Sequence, residues 1–171
     1  MIQVRVLDPD EPGIDELAAA AADLVERAYA AIPDGWPLEE DGYRAELRDV
    51  AGRVRSAEVA VAHVDGMLAG CVTYVPPGSA LDEHHDGEPS FRMLGVAPEA
   101  GGRGVGTALV HWVIERARAG GHRHLWLYTA EPMRVAQGMY RRLGFARQPE
   151  HDWTFAPERT LLAFRLDLVR P

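Results

Sequence analysis

An α/β fold, with a mixed sheet covered by helices, is predicted by the order of patterns along the chain. Stretches of alternating apolar and polar residues mark strands, and stripes at helical spacing mark helices. They run strand, two helices, hairpin, strand, helix, strand, helix, two strands, an interleaving that suits one sheet with helices packed on it. The length of 171 residues, 47% apolar and 26% charged, suits one domain with a full hydrophobic core, expected over residues 1–171.

Each element has a local reason. Ile2, Val4 and Val6 alternate with polar neighbours, and the Pro- and Asp-rich run at 8–13 then breaks the strand. Over residues 14–31, Ile14, Leu17, Ala18, Ala21, Leu24, Val25 and Ala28 form one apolar helical stripe. A turn at 32–37 leads to a shorter helix expected over 38–50. Glu58–Val64 and Met67–Val75 alternate on either side of Asp65-Gly66, the strongest hairpin signal in the chain. Residues 76–89 hold prolines, glycines, acids and a histidine pair, a loop long enough to line a site. A strand over 91–96 and a helix over 104–119, ended by Gly120-Gly121, follow. Next come a short strand at 125–129 and a helix with Pro132 in its first turn, closed by Gly144. Strands near 145–147, with a continuation at 153–155, and over 160–169 complete the order. There is no internal repeat and no interdomain linker.

Composition excludes several classes. No stretch approaches the roughly twenty apolar residues of a membrane span, and residues 1–6 read as a strand, not a signal peptide. One cysteine, Cys71, rules out an intrachain disulfide framework and a cysteine zinc cluster. A cytoplasmic protein with no membrane partner is expected. The net charge of −8 disfavours a general nucleic-acid binder. Residues 1–90 hold 19 acids and 6 arginines, whereas residues 91–171 hold 7 acids and 12 arginines. The later part suits a phosphorylated ligand and the earlier part a cationic one. All 18 basic residues are arginine, so no lysine is available for a Schiff base or a phosphate loop.

The chemistry-bearing motif is Gly101-Gly102-Arg103-Gly104-Val105-Gly106, between a strand and a helix. Glycines allow close approach of a ligand, and free amides of such a turn and of the helix start form an anion site. Arg103 adds a charged donor and Thr107 a hydroxyl, so the pattern fits a diphosphate. A Walker loop would need lysine, and a G-x-G-x-x-G register starting at Gly102 fails at Thr107.

The run from Leu94 to Leu109, through Val96-Ala97-Pro98-Glu99-Ala100 and the glycine turn, resembles the coenzyme-binding motif of the GCN5-related N-acetyltransferase (GNAT) superfamily. A second segment, Thr129, Ala136, Met139-Tyr140 and Gly144-Phe145, matches at the expected distance. The resemblance implies the acyl-CoA N-acyltransferase fold, a splayed central sheet with acetyl-CoA in its cleft. It implies that the strand bearing Leu94 and Val96 pairs with the pantetheine arm. The turn Gly101, Gly102, Arg103, Gly104, Val105, Gly106, with Thr107, would hold the pyrophosphate. Two positions depart from the pattern: Gly101 replaces the usual Arg or Gln, and Met133 replaces a frequent Asn.

The resemblance makes Tyr140 the general acid for the leaving thiolate. The strand Ser90-Phe91-Arg92-Met93-Leu94 lacks the family's frequent glutamate. Glu88, His84 and His85, just upstream, are the candidate bases, histidine being matched by its intrinsic pKa. Adjacent histidines without spaced ligands make no metal site, and no metal is expected. Cys71 lies in an apolar strand without an evident histidine partner and reads as structural, which favours direct transfer. Trp36, Tyr43, Tyr74, Trp126, Tyr128 and Trp153 are candidate acceptor-pocket liners, and Glu39, Glu40, Asp82 and Glu83 would attract an amine cation. The expected acceptor is therefore a primary amine of a small molecule or peptide, and the resemblance also allows a homodimer. A catalytically inactive acyl-CoA sensor or regulatory domain is the alternative, distinguished by binding without turnover.

Overall fold

The computed structural model describes residues 1–33, 42–82, 87–156 and 159–168. In chain order the strands are β1 (Ile2–Val6), β2 (Glu58–Val64), β3 (Met67–Val75), β4 (Ser90–Val96), β5 (His124–Ala130), β6 (Ala146–Arg147), β7 (Trp153–Ala156) and β8 (Arg159–Asp167). The helices are α1 (Ile14–Ala30), α2 (Tyr43–Arg48), α3 (Val50–Ser56), α4 (Val105–Ala119) and α5 (Arg134–Arg142). The strands form one sheet in the order β1-β2-β3-β4-β5-β8-β6, with β7 paired to β8. It is the mixed α/β architecture the sequence predicts.

The sheet is antiparallel on both sides of one parallel junction, between β4 and β5. That junction holds for only two residue pairs, Ser90↔Trp126 and Phe91↔Leu127. Beyond it Met93 has a φ of 54°, and the β3–β4 register shifts between Cys71 and Thr73. A left-handed non-glycine residue costs energy and redirects the strand. From Arg92 onward β4 therefore has no strand partner on its β5 side among the described residues, and the centre of the sheet splays.

Two glycines show how closely the helices press on the sheet. A Cβ at Gly70 would meet Leu109 and Val105 of α4 at 2.8 Å each. A Cβ at Gly95 would meet Val25 Cα of α1 at 3.2 Å. Val96, next to Gly95, lies instead beside Gly106 of α4 and near Met139 of α5. Strand residues alternate faces, so α1 covers one face and α4 with α5 the other. The α1 stripe buries Ala18, Ala21, Leu24 and Val25 as its periodicity predicts, and adds Ala22 and Tyr29. Tyr74 is fully buried, edge-on to Trp112 with Arg116 over its ring, and so belongs to the core rather than to an acceptor pocket.

The helix expected over 38–50 is corrected to two short helices, α2 and α3; residues 34–41 lie outside the described residues. Asp49 breaks the run, because its side chain accepts from Gly52 N at 2.9 Å and caps α3. The α5 helix starts at Arg134, with Pro132 just before it rather than in its first turn.

Arg53 ties these short helices to the sheet. It is 4% exposed and donates from Nε to Thr73 Oγ1 at 3.1 Å, and from its two Nη atoms to Glu46 O and Leu47 O. The two carbonyls belong to the end of α2, where intrahelical donors become scarce. Burial opposes this charge and pushes the guanidinium below its ordinary value. Arg53→Met retains the apolar stem but takes the donor from Leu47 O and Thr73 Oγ1, while Glu46 O keeps the Asp49 amide at 3.2 Å. It should destabilise the fold by about 2 kcal/mol, the unsatisfied groups outweighing the relieved desolvation. Urea unfolding checks this, with Arg53→Lys expected between the two.

Candidate active site

β4 ends at Val96, and a 3-10 turn at Pro98–Ala100 leads into the glycine run. The amides of Gly101 and Arg103 are committed within that turn, to Pro98 O at 3.2 Å and Ala100 O at 3.4 Å. Gly104, at φ 84°, starts α4 in a conformation that favours glycine. Ala108 N closes the first helical bond onto Gly104 O at 2.9 Å. The N–H groups of Val105, Gly106 and Thr107 consequently have no intrahelical acceptor, and the helix dipole adds positive potential there. Two of the six turn amides, those of Gly101 and Arg103, are thus withdrawn from the anion site.

These donors face a cavity of about 590 Å³. Leu94 and Val96 line it, as does every predicted turn residue from Gly101 to Thr107 except Arg103. Arg103 instead pairs with Asp65 at 3.1 Å, on the hairpin turn between β2 and β3. The N-terminal amine and Arg103 together hold the Asp65 carboxyl below its ordinary value. The opposite walls come from the end of α1, with Ala28 and Tyr29, and from α5, with Met139.

Tyr140 stands behind this lining. Its ring lies 5.9 Å from both Phe91 and Phe145 and 6.4 Å from Phe164, and burial raises its phenol above the ordinary value, with the nearby Tyr29 adding to the effect. Tyr29 comes from α1, on the other face of the sheet.

Glu88 is brought to the start of β5. Its carboxylate accepts from Arg123 N at 3.2 Å and His124 N at 3.3 Å, and lies 3.6 Å from His122 Nδ1 and 3.4 Å from His124 Nδ1. This pins the loop before β4 to the start of β5, at the opposite end of β4 from Leu94 and Val96. His84, His85 and Glu83 lie outside the described residues, as do Trp36, Glu39 and Glu40. Asp82 caps its own loop by accepting from Gly78 N. Burial pushes the Cys71 thiol up to about 12, consistent with a structural cysteine.

A family model described as acetyltransferase (GNAT) family matches residues 20–145, most of the chain. The chain belongs to the GNAT acetyltransferase family. A mycothiol acetyltransferase of Cellulomonas flavigena is 36% identical over 139 residues, which cover 80% of this chain and 39% of that protein. A second, from Acidothermus cellulolyticus, is 44% identical over 83 residues, 48% of this chain and 21% of that protein. The chain thus spans about two fifths or less of the length of these relatives. A GNAT-family structure from Desulfovibrio desulfuricans has the same fold, with a TM-score of 0.68 and 21% identity over 99% of this chain and 100% of that one.

Acetyl-CoA is the ligand that the glycine motif leads one to expect in this cavity. The cavity suits that molecule, with an apolar channel along β4 and orphan amides at one end. The guanidinium groups of two further lining residues, Arg134 and Arg142 of α5, make no hydrogen bond or ion pair among the described residues. Unspent guanidinium groups beside helix-start amides fit a phosphorylated ligand. The arginine excess of the later chain signalled such groups without showing which would converge. A Cβ at Gly106 would stand 3.3 Å from Met139 Sδ and 3.5 Å from Val96 Cγ2. Gly106→Val should crowd the channel and weaken acetyl-CoA binding at least about tenfold, a loss of about 1.4 kcal/mol readable by calorimetric titration.

Proposed function

We propose that this GNAT acetyltransferase moves the acetyl group of acetyl-CoA directly onto a primary amine of a small molecule or peptide. The observation that carries the reading is the splay between β4 and β5, which opens onto a cavity ending at the orphan amides of Val105, Gly106 and Thr107. The turn holds the pyrophosphate, Arg134 and Arg142 add charge for phosphate, and the free edge of β4 receives the amide-bearing arm. That arrangement fixes the thioester and lowers the entropic cost of attack. The names of the mycothiol acetyltransferases favour a small-molecule amine of that kind as acceptor.

In this reading the neutral amine attacks the thioester carbon, and Tyr140 gives its proton to the departing sulfur. The proton lost by the amine passes through water and restores Tyr140. The buried thiol of Cys71 takes no part, so the acetyl group makes one transfer.

The test is a calorimetric titration with acetyl-CoA, followed by thiol release and mass detection of products across an amine panel that includes small aminothiols. Saturable binding with acetylated product is expected. Binding without turnover of any amine would instead establish a coenzyme sensor.

A further inference from the structure

Among the described residues that line the cavity, three have ionisable side chains: Tyr29, Arg134 and Arg142. The arginines hold their protons at any working pH. Tyr29 is therefore the one ionisable hydrogen-bond donor in the wall whose oxygen also accepts.

Its surroundings are unusual for a phenol at the end of a helix. Tyr29 is 8% exposed, and its hydroxyl shares a hydrogen bond with that of Tyr43 from α2, with ring centroids 6.2 Å apart. The Arg53 and Arg92 guanidinium groups both act on its oxygen and favour negative charge there, against the burial that raises the phenol. Arg92 is anchored by Glu46 at 2.7 Å, and Arg53 by the acceptors of α2 and β3. Three side chains, Tyr43 from α2, Arg53 from α3 and Arg92 from β4, thus act on the Tyr29 oxygen at the cavity wall. On Tyr140, by contrast, burial and Tyr29 both push the phenol up. A donor held in place behind a dry wall, with cations in its field, suits an oxygen that gains charge during reaction.

We propose that Tyr29 is a further catalytic residue of the acetyl transfer, its hydroxyl donating to the thioester carbonyl oxygen. The inference rests on the acetyl-transfer reading, though not on the role of Tyr140. When the amine nitrogen forms its bond to the carbonyl carbon, the π pair moves onto oxygen, and the Tyr29 O–H, still holding its proton, stabilises that oxyanion. The pair then returns, the carbon–sulfur bond breaks, and sulfur leaves with its electrons and takes up a proton. Tyr43 donates to the Tyr29 oxygen, which turns the remaining Tyr29 proton into the cavity.

The test uses acetyl-CoA labelled with carbon-13 at the carbonyl, bound to the full chain and read by difference infrared spectroscopy, so that no acceptor is required. The wild-type carbonyl band should move to lower frequency on binding, and Tyr29→Phe should return it toward its position in water. Tyr43→Phe, which leaves Tyr29 in place, should return it part of the way. With an acceptor in hand, Tyr29→Phe should lower kcat about a hundredfold, as expected for loss of one oxyanion donor, while affinity for free coenzyme A, which lacks the carbonyl, stays the same. Failure of the wild type to bind acetyl-CoA would overturn both this proposal and the acetyl-transfer reading. Binding with the same band in Tyr29→Phe as in wild type would overturn the role of Tyr29 alone.

Discussion

Tyr140→Phe should lower kcat by about 10² to 10⁴-fold while leaving acetyl-CoA affinity near that of the wild type, the range expected when a positioned general acid is lost. The substitution keeps the ring, and with it the edge contacts to Phe91 and Phe145 that fill the core. The phenol oxygen alone is removed, so stability should change little. Direction in pH is also set. Because burial raises the Tyr140 phenol above its ordinary value, it stays protonated as the solution becomes alkaline. Its ionisation should therefore cause no fall in wild-type kcat between about pH 7 and 10, where an unperturbed phenol would begin to titrate. Steady-state kinetics across that window, with coenzyme titrated separately, checks both points. Retained kcat in Tyr140→Phe, with chemistry rate-limiting, would remove the residue from the mechanism.

Gly95→Val should destabilise the fold by about 3 kcal/mol, the upper part of the range for overpacking a filled core. The obstacle is backbone. A Cβ at this position lies 3.2 Å from Val25 Cα and 3.4 Å from Ala28 Cβ, so relief requires α1 to move and not merely a rotamer change. The β-branched methyl groups add to the mismatch. Melting should fall by roughly 6–12 °C for a chain of this size. Coenzyme binding should weaken with it, because Ala28 and Tyr29 ride on the same helix. Gly95→Ala, with one atom to place, should cost less. A Gly95→Val melting point equal to wild type would show that α1 is held loosely.

What could be read in the sequence was what neighbouring residues decide. Asp65-Gly66 defined the hairpin, and β1, β2 and β3 begin and end where alternation does. The glycine turn announced its amides, although not that Gly101 and Arg103 would use theirs within the turn. Contacts between distant segments were hidden. Glu88 reads as a free carboxylate in an acidic loop, and only the fold delivers it to backbone donors at the head of β5. Tyr29 lies outside the helical stripe read from the sequence, which ends at Ala28. Its importance comes from Tyr43, Arg53 and Arg92, which arrive from three other elements. Asp49 gave no sign of breaking a helix until its side chain was seen capping the next one.

The splay of β4 from β5 has a consequence for how the molecule behaves among its own kind. Unpaired strand edges invite other polypeptides to add on, and proteins usually keep them short, charged or covered. Here the unpaired stretch of β4 lies at the centre of the sheet, with α1 on one face and α4 and α5 on the other. Its neighbouring space is a cleft of about 590 Å³, room for a slender ligand arm but not for an intruding strand with its side chains. The molecule thereby keeps a hungry edge for its substrate while denying it to aggregation. Backbone amides along that stretch should exchange with solvent freely in the empty protein and slow when acetyl-CoA fills the gap.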